Sequence, residues 1–135
     1  MKKSLFTLIP LLSACAGEPP ATIGVQAGRL TPCPESPNCV SSYETDETHR
    51  IAPLSADLAA IEAVLLGQER TNIVSKEGNY LYAEFTSRLM GFVDDVEFLH
   101  DPATGLTHVR SASRLGYSDL GANRERIEAI RSALD

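Results

Sequence analysis

The stretch from Tyr80 to Arg114 alternates apolar and polar side chains with the two-residue period of a β-strand. The apolar tip at Leu89 and Met90 and the Pro- and Gly-containing segment 100–105 divide it into three strands. A further strand over 71–76 precedes them, after a turn at 77–79. The pattern predicts an antiparallel meander of four strands. Whether Ile73 or Val74 faces the core depends on the length of that first turn.

The predicted registers place a carboxylate among the apolar side chains. Folding about Leu89 and Met90 sets Phe85 opposite Asp94. Folding about 100–105 sets Asp94 opposite Ser111, and on the other face sets Asp95 opposite Arg110. Both hairpins point the same row inward, so each register supports the other. Asp94 is the exception in that row.

Two amphipathic helices flank the meander. Leu58, Ile61 and Leu65 have helical spacing behind a possible N-cap at Ser55, and Gly67 follows. A second helix is predicted from Ser118 or Asp119 to Leu134. Its inward stripe is Leu120, Asn123, Ile127, Ile130 and Leu134. The predicted fold is α+β in two layers: helix, four-stranded antiparallel meander, helix, with both helices on one sheet face.

The opposite sheet face is predicted to meet solvent. It carries Tyr80, Tyr82, Glu84, Arg88, Asp95, Glu97, His108, Arg110 and Arg114. On this face His108 is expected to form a surface pair with Glu97. The apolar tip at Leu89 and Met90 is expected to fold against the domain, the alternative being an exposed tip that contacts a partner or lipid.

The N-terminus predicts export and lipidation. A basic Lys2-Lys3 precedes an apolar run, Leu5 to Leu12, that is too short to span a membrane. Leu12-Ser-Ala-Cys15 then resembles the bacterial lipobox, in which the cysteine is diacylated. The alternative is an ordinary secretory signal with an incidental cysteine. Residues 1–14 are therefore predicted as a lipoprotein signal peptide and Cys15 as the lipidated residue, on the periplasmic side of the outer membrane.

The rest of the chain divides into a tether and one domain. Residues 15–29 are small, polar and rich in Gly and Pro, which predicts a flexible tether. Residues 30–135 form a single globular domain. The formal net charge is −6, which gives no electrostatic basis for binding nucleic acid.

Cys33 and Cys39 predict a disulfide, because the chain is exported and Cys15 is assigned to the lipid. A metal or redox site is the alternative. The spacing of six is too long for a CxxC motif, and no pair of histidines lies nearby.

Three motifs resemble an uncharacterised domain family of bacteria and plastids. They are Pro-Cys-x-x-Ser-Pro-Asn-Cys-Val-Ser-Ser at 32–42, Gly-Phe-Val-Asp-Asp-Val-Glu-Phe at 91–98, and the Arg-Ser-x-Ser-Arg stretch that runs from 110 to 127. The resemblance covers roughly 30–134 and implies domain limits and polar positions. It implies no activity.

Two polar groups are candidate sites. Asp94, Ser111, Ser113 and Asn123 should converge between sheet and final helix, either as a satisfied network that fixes the helix or as the lining of a ligand pocket. Five arginines should surround one end of the sheet, where they either bind an anion or pair with Glu84, Asp95, Asp119 and Glu128. These are Arg88, Arg110, Arg114, Arg124 and Arg126.

Known catalytic motifs are absent from the sequence. It contains no Gly-x-Ser-x-Gly, phosphate loop or His-x-x-x-His. We expect no cofactor and no metal. The sequence favours a membrane-tethered envelope lipoprotein domain that binds a small anionic ligand or a protein partner. The alternative is an enzyme of unfamiliar type that uses a pocket centred on Asp94.

Overall fold

The structure, a computed structural model, describes residues 17–135. The predicted signal peptide and Cys15 lie outside the described residues. The elements in chain order are β1 (Val25–Gln26), β2 (Arg29–Leu30), β3 (Cys39–Ser41), α1 (Leu58–Leu66), β4 (Thr71–Glu77), β5 (Tyr80–Thr86), β6 (Val93–Asp101), β7 (Leu106–Ser113) and α2 (Ala122–Leu134).

The fold is α+β, with a five-stranded antiparallel sheet in the order β3-β7-β6-β5-β4 and a separate pair, β1-β2. The predicted meander forms β4 to β7. The prediction of a four-stranded sheet was wrong, because β3 adds a fifth strand beside β7. Its three residues are all buried. So short a strand, buried on both faces, has no alternation that the sequence could display.

The register of β5 with β6 is confirmed, with Phe85 opposite Asp94. The register of β6 with β7 was wrong by two residues. Asp94 lies opposite Ser113 and Val96 opposite Ser111, because the hairpin closes at the pair Asp101 and Leu106. A shift of two keeps each side chain on its face, so the inward row was right.

The same shift changes the partners on the other face. Arg110 lies opposite Glu97, where Asp95 was predicted, and His108 lies opposite Leu99, where Glu97 was predicted. In the first hairpin a bulge between Ile73 and Ser75 resolves the open register. Ile73 packs on the core and Val74 is exposed.

One apolar core joins the sheet to both helices. Leu81, Val96 and Phe98 from the strands pack in one cluster with Ile61 and Ile127 from the helices, all fully buried. The first helix begins later than predicted, because Asp57, and not Ser55, accepts the N–H of Ala60 at 2.9 Å.

The second helix also begins later than predicted. Asp119 accepts hydrogen bonds from Gly121 N and Asn123 N, and helical geometry starts after Gly121. Leu120 therefore precedes the helix and is 93% exposed, so its place in the inward stripe was wrong.

The face predicted to meet solvent is largely covered. Tyr82, Asp95, Glu97 and Arg110 are buried there. The cover comes from the N-terminal part of the described chain: Gly24 N donates to Glu97 Oε1 at 2.8 Å, and Pro32 O accepts from Arg110. Part of the predicted tether thus folds onto the sheet, and β1 lies within it. Among residues 17–135, no helix combines the length and hydropathy needed to cross a membrane.

Candidate functional site

Asp94 reaches the predicted polar cluster through an arginine. Arg126 Nη2 lies 2.6 Å from Asp94 Oδ2. The same guanidinium donates through Nη1 to Asn123 Oδ1 at 2.9 Å and to Ser111 Oγ at 3.2 Å. Its carbon lies 4.8 Å from the centre of the Phe85 ring, close enough for a cation–π contact. Arg126 therefore links the strand carboxylate to the helix.

Asn123 is the centre of this network. It is fully buried, accepts from Ser111 Oγ at 2.7 Å, and donates to Ser113 Oγ at 3.0 Å and Asp119 Oδ2 at 2.8 Å. It also donates to Asn38 O at 3.2 Å. The structure thus brings together Asp94, Ser111, Ser113 and Asn123. Among the described residues no hydrogen bond joins Asp94 directly to Asn123, since the Arg126 guanidinium bonds to both of them.

Asp119 belongs to the network although the sequence suggested only an ion-pair partner or a helix start. Burial would raise the pKa of its carboxyl, but hydrogen bonds from Asn123 and Gly121 outweigh that effect and lower it. A carboxylate at the start of a helix is also favoured by the helix dipole. The signal that could have revealed it is an aspartate four residues before an asparagine at a helix start.

Asp94 also lines an open cleft of about 290 Å³. The cleft lies at the end of the sheet where the β5–β6 connection and the loop after β7 meet. Ser113 and Asp119, which also belong to the polar network, line the cleft as well. The large apolar side chains that line it are Phe92, Leu115 and Leu120. The network is therefore saturated on its helix side and open to solvent on its Asp94 side.

Large apolar side chains are exposed around this cleft. Phe92, Leu115 and Leu120 line it, and Leu89, Met90 and Tyr117 are exposed in the same two connecting segments of the chain. We call these six residues the apolar rim. Leu89 is 92% and Met90 70% exposed, so the prediction that this tip folds against the domain was wrong. An apolar group of this size at one end of a domain marks an interaction surface.

Leu120 holds its exposed position at a conformational cost. Its φ is +53°, a left-handed conformation that costs a non-glycine residue about 1–2 kcal/mol. We expect Leu120→Gly to raise the free energy of unfolding by up to about 1 kcal/mol. Glycine relieves the backbone strain, but it also increases the conformational entropy of the unfolded chain, which offsets part of that stabilisation. Leu120→Ala, which keeps Cβ, should show no gain. Urea unfolding measures both, and equal stabilities of the two variants would contradict the account.

The five candidate arginines do not form one group. Arg126 and Arg124 lie on α2, where Arg124 donates to the carbonyls of Arg50 and Thr48. Arg110 and Arg114 lie on the covered face of the sheet. Arg88 is exposed in the β5–β6 connection and has no ion pair within residues 17–135. Arg110 is separated from the two arginines of α2 because its side chain lies on the opposite face of the sheet.

On the covered face, Arg114 is already paired. It donates to Asp95 through Nη2 at 2.6 Å and through Nε at 3.1 Å, and Tyr82 OH donates to the same carboxylate at 2.5 Å. Arg110 Nη1 lies 3.8 Å from Glu97 Oε2. These two arginines border a cavity of about 280 Å³ that Asp95 also lines, and Asp95 neutralises the charge of Arg114 there. Arg110 is less well paired, because Glu97 is 3.8 Å away and the buried Nε of Arg110 has no hydrogen-bond partner among the described residues.

Glu97 carries a buried carboxyl group, and burial raises the pKa of that group. Hydrogen bonds from Gly24 N and Tyr80 OH and the charge of Arg110 act in the opposite direction. The folded protein then holds the proton at pH values where the unfolded chain has lost it. Stability should therefore fall as the pH rises from about 4.5, the ordinary value for Glu, through the folded pKa. We expect Glu97→Gln to remove this slope. The measurement is the difference in unfolding free energy between wild type and variant across pH 4–8. A difference in unfolding free energy that stays constant across this pH range would contradict the raised pKa of Glu97.

The described residues contain no catalytic constellation that we recognise. His49 bonds Asp46, and His108 bonds Ser42 Oγ and stacks on Tyr43. No group of three or more His, Cys, Asp or Glu that could hold a metal occurs in the described part of the chain. Cys33 and Cys39 form the predicted disulfide.

Residues 29–134 match the family described as "Protein of unknown function (DUF1499)". The chain belongs to this family. The match covers the five-stranded sheet, both helices and the entire polar network. It thus confirms the resemblance to an uncharacterised domain family. Comparison with curated proteins and with solved structures found no match.

Proposed function

We propose that this DUF1499 domain is a lipid-anchored binding module of the cell envelope, and that its binding site is the cleft beside Asp94. The observation that carries the proposal is the cleft itself, which combines a polar side with an exposed apolar rim. Binding sites for small ligands and partner segments have this composition, with a few placed polar groups in an apolar surround.

The cleft favours an amphiphile. Phe92, Leu115 and Leu120 offer apolar contact, and Ser113 and Asp94 offer acceptors for a hydrogen-bond donor. A small anionic ligand, or a protein partner held through an anionic group, is less well supported. Four of the five candidate arginines already donate to carboxylates or carbonyls of the protein.

The alternative is an enzyme that uses Asp94. Arg126 neutralises this carboxylate, and neither Ser111 nor Ser113 bonds a histidine within the described residues. A hydroxyl without a base is a poor nucleophile. Binding therefore accounts for the cluster with fewer assumptions than catalysis does.

Membrane attachment rests on the sequence Leu12-Ser-Ala-Cys15. We expect Cys15→Ser to leave an uncleaved precursor that takes up no labelled palmitate, whereas the unaltered chain is cleaved and labelled. Labelling of both to the same extent would contradict lipidation. The anchor would hold the domain on the periplasmic side of the envelope, at the outer membrane.

A photo-crosslinking phenylalanine analogue at Phe92 tests the binding site. It should form adducts in living cells, because Phe92 lines the cleft and is half exposed. The matched control is the same analogue at Leu66, which is 72% exposed on α1 outside the cleft. Adducts of equal yield at both positions, or at neither, would overturn the site.

A further inference from the structure

We infer that the partner of the apolar rim is the bilayer surface itself. The end of the domain that carries the rim and the Asp94 cleft faces the membrane, and the cleft opens towards lipid. This rests on the lipid anchor in the proposed function. It identifies the amphiphile as membrane lipid and gives the domain a fixed orientation.

The first support is the place where the described chain begins. Gly17 O accepts from Arg114 Nη1 at 3.1 Å, and a Cβ built on Gly17 would lie 3.5 Å from Leu115 Cδ2. Leu115 is part of the apolar rim and lines the cleft. The N-terminal end of the described chain therefore lies at the rim.

The second support is the shortness of the connection to the anchor. Cys15 precedes Gly17 by two residues, which span at most about 7 Å. The residues that the sequence predicts as a flexible tether instead contribute to the cover of the sheet, where Gly24 bonds Glu97. An acyl group on Cys15 would hold the rim, and no other end of the domain, against the lipid.

The third support is the chemistry of the surface. Leu89 and Leu120 are more than nine-tenths exposed on two different loops. Aromatic Phe92 and Tyr117 accompany them, as at membrane interfaces. Arg88 lies beside Leu89, exposed, where its guanidinium can meet a lipid phosphate. The full sequence has a formal net charge of −6, and removal of Lys2 and Lys3 with the predicted signal peptide makes it −6 − 2 = −8. Apolar contact, rather than general attraction to anionic lipid, therefore drives the contact of the rim with the bilayer.

The sequence contains no tryptophan, so one introduced residue is a unique fluorescent reporter. We would place Trp at Leu89, at Leu120 and, as a control, at Leu66, each in the mature lipidated protein. The probe is vesicles of phosphatidylethanolamine and phosphatidylglycerol with brominated acyl chains, which quench tryptophan on contact. Sedimentation of the vesicles measures the anchor separately.

We expect the protein to sediment with the vesicles and the Leu89→Trp and Leu120→Trp variants to lose about half their fluorescence, because interfacial side chains sit about 5–10 Å deep, near the bromines. The Leu66→Trp variant should be unquenched. Sedimentation without quenching at Leu89 and Leu120 would overturn the seating while the anchor stands. Quenching at all three positions would overturn the fixed orientation. Failure to sediment would overturn the anchor and the seating with it.

Discussion

Arg114→Met is expected to lower the free energy of unfolding by about 3–5 kcal/mol, the cost of leaving a buried charge without its partner. The charge is Asp95, whose side chain is 2% exposed and receives two hydrogen bonds from Arg114. Tyr82 OH alone would remain to stabilise the carboxylate. Urea unfolding of the mature protein measures the loss.

The control for Arg114→Met is Arg88→Met. It removes the same charge from an exposed position with no ion pair in the described chain, so its cost should stay within about 0.5 kcal/mol. The double variant Arg114→Met with Asp95→Leu should recover much of the loss, because no buried charge remains. A loss below about 1 kcal/mol for Arg114→Met would mean that Asp95 is solvated and that the N-terminal segment does not cover this face.

The buried charge on this face is what the sequence could not predict. Alternation identifies which side chains share a face, and Asp95, Glu97 and Arg110 do share one. It does not tell whether that face meets water. The covering residues 17–34 are rich in Gly and Pro and have no period, so they were interpreted as tether and entry loop. Only their contacts with Glu97 and Arg110 reveal the second, polar layer.

The polar network around Asn123, in contrast, could largely be predicted from the sequence. The two-residue alternation of side chains along a strand placed Asp94, Ser111 and Ser113 on one face, and the helical spacing of apolar residues in α2 added Asn123. These four converge despite a register error of two residues, because such an error conserves the face. Arg126 was assigned to a different group, since its contact with Asp94 depends on how α2 lies across the sheet. Sequence periodicity does not determine that angle.

Asn123→Leu is expected to lower the free energy of unfolding by about 3–4 kcal/mol, since each buried group left unsatisfied costs about 1–3 kcal/mol. Leucine has similar volume, so packing is a minor term. The Ser111 hydroxyl, the Asn38 carbonyl and Arg126 each lose their bond to Asn123. Asn72→Leu, on the exposed side of β4, is the matched control and should change stability by less than about 0.5 kcal/mol.

Double-mutant cycles separate a network that passes through Arg126 from a direct contact. Because Arg126 Nη2 bonds Asp94 while Nη1 bonds Asn123, we expect Asp94→Ala to couple to Arg126→Met by about 1.5–3 kcal/mol. Its coupling to Asn123→Leu should be below about 1 kcal/mol, because that pair communicates only through the guanidinium. The reverse order of coupling energies would mean that Asp94 and Asn123 bond directly, and that α2 is rotated relative to the sheet. A coupling near zero in both cycles would place Asp94 outside the helix-docking network altogether, leaving the cleft as the only role for its carboxylate.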